Sequence, residues 1–89
     1  MQETFGIAAF RSRQQVMRFE GALRRAGIHS QVISTPRDVS IGCGLSVQFD
    51  LRDKTQVFEV YRQTRLSNLI GFYSVVRDGH ARPQISPLM

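Results

Sequence analysis

Two stripes of apolar residues at helical spacing, each set between strand-like runs, constrain this chain more than any other feature of its sequence. The first stripe is Val16, Phe19, Leu23 and Ala26, and the second is Val57, Val60, Tyr61 and Leu66. Recurrence at three and four residues places such side chains along one side of an α-helix. Ahead of the first stripe, Thr4 to Phe10 is apolar with β-branched and aromatic members, and reads as a strand buried on both faces. Ile28 to Ser34 alternates, with Ile28, Ser30 and Val32 on one side and His29, Gln31 and Ile33 on the other. Leu45 to Phe49 alternates in the same way, and Phe72 to Val76 reads as a fourth strand after a turn over Asn68 to Gly71.

Local signals punctuate this pattern. Ser12 with Gln15 has the spacing of a capping box at a helix start, and Asp53 with Gln56 repeats it in acidic form. Gly27 follows the first stripe as a stop signal, since glycine adopts the left-handed conformation at little cost. Pro36 ends strand pairing because it has no N–H to donate. The order β-α-β-β-α-β predicts an α+β two-layer sandwich, a four-stranded antiparallel sheet with two helices on one face. Strands one and three are expected at its centre, with strands two and four as edges. One domain over residues 1–77 accounts for the 89-residue length. Residues 78–89, punctuated by Asp78-Gly79, Pro83 and Pro87 and lacking a period, read as a flexible tail.

Composition narrows the functional classes. No apolar run approaches the roughly 20 residues that span a bilayer, nothing resembles a signal peptide, and a lone cysteine cannot form an internal disulfide. A soluble protein of the cytoplasm, where thiols stay reduced, is expected, with no membrane partner. The net charge of +5 is carried almost wholly by arginines spread along the chain, with Arg24-Arg25 the one adjacent pair. Spread cations read as solvated faces, so nucleic acid is not expected as a partner. The sequence holds no C-x-x-C, phosphate-binding loop, dinucleotide glycine pattern, Ser-His-Asp arrangement or paired carboxylates. His29 and His80 do not suggest a metal site with the cysteine. No cofactor or metal is expected, and a carrier or binding protein fits better than a self-sufficient enzyme.

Cys43 is the residue with chemistry to offer. It lies between Gly42 and Gly44, which have no side chains to bury it, and Arg37 and Ser40 are close in the chain. One reading is a small residue filling a tight turn, and the other is a presented, reactive thiol. The expected topology brings this loop to the start of the first helix, with Arg11, Ser12 and Arg13, and to the turn around Asn68. A helix N-terminus and nearby guanidinium groups both favour thiolate over thiol. Arg37 serves either as an anion clamp or as a solvated loop residue, and Ser40 caps a local turn on either reading.

The run Pro36-Arg37, then Ser40, then Cys43-Gly44, together with Phe10 and the junction Arg25-Ala26-Gly27-Ile28, resembles a small bacterial family called putative selenium/sulfur carrier-like proteins. The resemblance spans about residues 4–76. It departs where Ser34-Thr35 precede Pro36 without the family's first proline, at Gly42, and in the extended tail. What it implies is a ferredoxin-like fold and carriage of sulfur or selenium on Cys43 as a persulfide or perselenide. Arg37, Ser40, Gly42 and Gly44 would then shape the loop, and Arg11, Ser12 and Arg13 its rim. A cysteine desulfurase or an acceptor protein is the implied partner, and self-association as a homodimer is compatible with so small a domain. The alternative is a non-catalytic ligand-binding or protein-interaction module of the same fold, with a structural cysteine.

Overall fold

The computed structural model describes residues 2–36, 39, 44–79 and 82–88. Its elements run β1 (Gln2–Phe10), α1 (Arg13–Arg25), β2 (Ser30–Ser34), β3 (Leu45–Phe49), a 3-10 turn (Leu51–Asp53), α2 (Lys54–Thr64), β4 (Leu69–Asp78) and β5 (Gln84–Pro87). They form an α+β structure with a five-stranded antiparallel sheet in the order β2-β3-β1-β4-β5. Strands β1 and β3 are interior, as the order of elements predicts. The expected count of four strands is corrected to five, because β5 pairs with β4 from Tyr73↔Pro87 to Val76↔Gln84 and takes the edge position. It arises within the stretch read as an aperiodic tail. Four residues closed by prolines are too short to show a period, and the pairing of Val75 with Ile85 supplies the reason they are extended.

Strand β4 starts three residues before the expected Phe72, taking in Leu69, Ile70 and Gly71, and it runs through the expected domain boundary to Asp78. Its register on β1 shifts between Ala9↔Gly71 and Phe10↔Leu69, so a bulge absorbs one residue there. The glycine in this stretch looks like a turn in sequence. In the fold it is a strand position beneath an aromatic ring, since a Cβ on Gly71 would stand 2.9 Å from the Tyr73 hydroxyl.

The helix stops and starts separate local signals that survive from those that do not. The end of α1 follows the sequence closely: Gly27 has φ +80°, its N–H donates to the Arg24 carbonyl at 3.0 Å, and Ile28 N–H donates to Leu23 carbonyl at 2.9 Å. These two bonds with buried Leu23 and Ile28 make a Schellman motif. The capping boxes do not form. Ser12 is the N-cap of α1 by backbone geometry, yet its side chain makes no capping bond, and Gln15 Oε1 is buried without a partner among the described residues. Asp53 likewise makes no side-chain cap. Asp50 acts one turn earlier instead, accepting from Arg52 N–H at 2.9 Å, and so caps the 3-10 turn that leads into α2.

The main core lies between sheet and helices. Ala8 and Phe10 of β1, Val47 and Phe49 of β3 and Phe72 of β4 pack with Val16, Phe19 and Leu23 of α1 and Val57 of α2. Phe72 is its aromatic centre, with ring centroids 4.8 Å from Phe58, 5.3 Å from Tyr61, 6.3 Å from Phe19 and 6.4 Å from Phe49. The four pairs are edge-to-face or nearly so, the arrangement that ring quadrupoles favour. Gly6 sits on the same side, and a Cβ there would fall on the Phe49 ring. A second cluster on the other sheet face holds Phe5, Ile7 and Val75, with Ile33, Val39, Tyr73 and Ile85 against it. Among the described residues, no helix is long and apolar enough to cross a membrane.

Because Ile85 covers Val75, Ile85→Ser should lower unfolding stability by about 1 kcal/mol in urea melts, as expected for partial loss of one aliphatic side chain. A wild-type stability for this variant would mean that β5 contributes nothing to the sheet. A second expectation concerns pH. The Arg52 backbone N–H, and then its guanidinium, hold the Asp50 carboxyl below its ordinary value. A carboxylate with a depressed folded-state value stabilises above the unfolded value of about 3.9 and loses that effect as pH falls through the lower one. The difference in melting temperature between wild type and Asp50→Ala should therefore be present at neutral pH and shrink below about pH 4.

Candidate functional site

The connection from β2 to β3 carries the cysteine, and the structure defines how its two ends are held. Strand pairing reaches Ser34↔Leu45 and continues one step further, where Thr35 N–H donates to the Gly44 carbonyl at 2.9 Å. Alternation from Ile33↔Ser46 places Thr35 on the helix-free face. There its Oγ1 lies 2.6 Å from Ser46 Oγ, a hydrogen bond between two buried hydroxyls. The connection thus leaves and re-enters the sheet through a closed neck. Pro36 accepts from Val39 N–H at 3.0 Å, a single turn, and Val39 packs into the cluster of Phe5, Ile7 and Val75. On that helix-free face Ser46, Ala9 and Gly71 are neighbours in register, and Ser46 and Ala9 are fully buried.

The neck stands beside the start of α1. Leu45 pairs with Phe10, and a Cβ on Gly44 would stand 4.0 Å from the Phe10 carbonyl oxygen and 3.1 Å from Thr35 Oγ1. Glycine at this position lets the two backbones and the threonine hydroxyl come together. The next residue after Phe10, Arg11, donates its N–H to the Asn68 carbonyl at 2.8 Å. Asn68 has φ +64°, a left-handed turn conformation that asparagine tolerates better than most residues. The expected convergence of the β1–α1 junction, the loop neck and the Asn68 turn is therefore present at one end of the sheet.

Of the residues singled out in sequence, Arg11, Ser12, Arg13 and Gly44 are brought to this end. Arg11 and Arg13 are exposed and make no ion pair among the described residues, and Ser12 is half-buried as the first residue of the α1 turn. Its carbonyl accepts from Val16 N–H at 3.2 Å, while the N-terminal amides of α1 receive no side-chain cap from it. Such amides carry partial positive charge and favour an anion nearby. Cys43, Arg37, Ser40 and Gly42 lie outside the described residues.

Thr35, Val39 and Ser46 hold the loop and were not picked out from sequence. Strand alternation puts Thr35 and Ser46 on one face only once the register is known. Val39 in sequence is one apolar residue in a polar loop.

The Thr35–Ser46 pair can be tested by a double-mutant cycle. Thr35→Val leaves the fully buried Ser46 hydroxyl without a partner and should cost about 1–3 kcal/mol in urea melts. Adding Ser46→Ala should recover much of that loss, since removing both polar groups avoids the unpaired donor. Additive losses would mean that the two hydroxyls do not act as a pair.

Comparison with known proteins matches the family model described as "Putative Se/S carrier protein-like" over residues 5–70. Neither a curated protein nor a solved structure matches the chain. The matched stretch runs from Phe5 in the buried centre of β1 to Ile70 at the start of β4, and so takes in the neck, the loop with Cys43 and both helices. The chain belongs to this family of Se/S carrier-like proteins.

Proposed function

We propose that this protein carries sulfur or selenium on Cys43. The observation that supports the reading most directly is the closed neck at Thr35, Gly44 and Ser46. In a member of this family, it sets the ends of the cysteine loop beside the start of α1, whose amides Ser12 does not cap, and beside Arg11 and Arg13, which make no ion pair among the described residues. A thiol placed near that end would be biased toward thiolate. Arg37, Ser40 and Gly42 complete the loop in this proposal, with Gly42 and Gly44 leaving space for a donor or acceptor to approach. The strand order β2-β3-β1-β4 with helices after β1 and β3 supports a ferredoxin-like sandwich extended by β5.

Loading needs no metal, external base or second cysteine. The Cys43 thiolate attacks the outer sulfur of a donor persulfide, forming a new S–S bond as the donor's own S–S bond breaks. The donor leaves as a thiolate, and Cys43 holds the persulfide. Delivery is the same exchange in reverse, with an acceptor thiolate taking the outer sulfur and Cys43 leaving. Electrons balance at each step, and the proton stays with the outer sulfur. Selenium would follow the same path as a perselenide. A cysteine desulfurase fits the donor role, and the cytoplasm fits a thiol that must remain reduced.

Incubation with a cysteine desulfurase and cysteine should add one sulfur atom to the intact mass of the wild type and none to Cys43→Ala. An undiminished adduct on the variant, or none on the wild type, would sink the proposal. Alkylation against pH should give a thiol pKa below the free-cysteine value of about 8.5. Arg11→Gln with Arg13→Gln should slow alkylation at neutral pH roughly two- to fivefold by removing nearby positive charge.

A further inference from the structure

Charge that is scattered along the sequence is gathered in space by the period of α1. Arg13, Met17, Gly21 and Arg25 follow one another at four-residue steps, with Arg18 and Arg24 beside them. This ridge lies on the opposite side of α1 from Val16, Phe19 and Leu23, which are fully buried in the core. Met17 is 49% exposed, the one large hydrophobic side chain so exposed among the described residues. Arg24 lies 3.7 Å from Glu20, whereas Arg13, Arg18, Arg25 and, just after α2, Arg65 make no ion pair among the described residues. Met17, Arg18, Gly21, Arg24, Arg25 and Leu66 line an open groove of about 460 Å³ between α1 and the end of α2.

Gly21 is the telling member. Glycine is the poorest helix-interior residue after proline, so its presence in mid-helix calls for a reason. Gly21 is buried in the fold. A Cβ there would meet only the ends of two flexible side chains, Arg25 Nη1 at 3.4 Å and Arg24 Nη2 at 3.9 Å. A glycine covered by the flexible ends of two arginine side chains, beside an exposed thioether, opens to another backbone once those guanidinium groups turn onto a partner's carboxylates. Methionine and arginine are also the residue types enriched at protein interfaces.

We propose that this face of α1 docks an acidic amphipathic helix of a partner protein. The helix crosses at Gly21, its apolar side against Met17 and Leu66 and its carboxylates against Arg13, Arg18, Arg25 and Arg65. A second copy of this chain does not fit, because like faces would set arginine against arginine. Single-stranded nucleic acid is disfavoured as well. It binds by stacking on exposed aromatic rings, and no residue lining the groove is aromatic. The inference rests on α1 and the groove and does not depend on Cys43.

The test is an amide-shift titration of the full ¹⁵N-labelled chain with three probes. They are a synthetic helical peptide with leucines at three- and four-residue spacing flanked by glutamates, a scrambled peptide of identical composition, and a single-stranded oligonucleotide. Shifts at Met17, Gly21, Ala22 and Leu66 are expected with the ordered peptide alone, weakening as salt is raised. Gly21→Leu should raise the melting temperature, because leucine is the better helix former, while weakening the peptide roughly tenfold or more. Arg18→Glu should weaken it in the same direction. Absence of shifts, shifts centred elsewhere, or undiminished binding by Gly21→Leu would overturn the proposal. Equal binding of the scrambled peptide would also overturn it, and so would oligonucleotide binding at the same amides.

Discussion

Residues Phe5 to Phe10 of β1 are all buried, and this strand is paired to β3 on one side and to β4 along its full length on the other. One face of it, at Ala8 and Phe10, packs under the helices, and the other, at Phe5 and Ile7, forms the second cluster. Every other element is placed relative to this strand. Its full length holds β4, and through β4 the short β5. Its C-terminal half holds β3, whose far side accepts β2. Gly6 belongs to the same constraint, since the Phe49 ring lies where its side chain would be.

The end of the molecule that carries the β2–β3 connection follows from where β1 stops. Phe10 pairs with both Leu45 and Leu69, so the starts of β3 and β4 and the start of α1 must emerge together. The cysteine loop inherits its location from Leu45 and its closure from Thr35, Gly44 and Ser46. It is anchored a third time through Val39 on the helix-free face.

Legibility in sequence varied with the range of the interaction. The Gly27 stop was readable because its cause is local: a left-handed residue and two backbone bonds within one turn. The stripe of Val16, Phe19 and Leu23 was readable because burial repeats at the helix period. The capping boxes were misleading, since their spacing is necessary but not sufficient. Ser12 has the backbone of a cap without the bond, and Asp50 captured the 3-10 turn ahead of Asp53. Strand β5 was hidden because its extended form depends on β4, a partner that sequence alone does not place beside it.

The sequence by itself determined the two helices, the strands β1 and β3 and the single cysteine between glycines, since each is written as a local period or a residue identity. Only the tertiary structure decided that the sheet has a fifth strand, that Thr35 and Ser46 close the loop, and that Leu66 beyond α2 joins Met17, Arg18 and Arg25 of α1 along one groove. The physical reason is common to all three. Register and helix phase bring together residues far apart in the chain, and no local signal encodes which ones will meet.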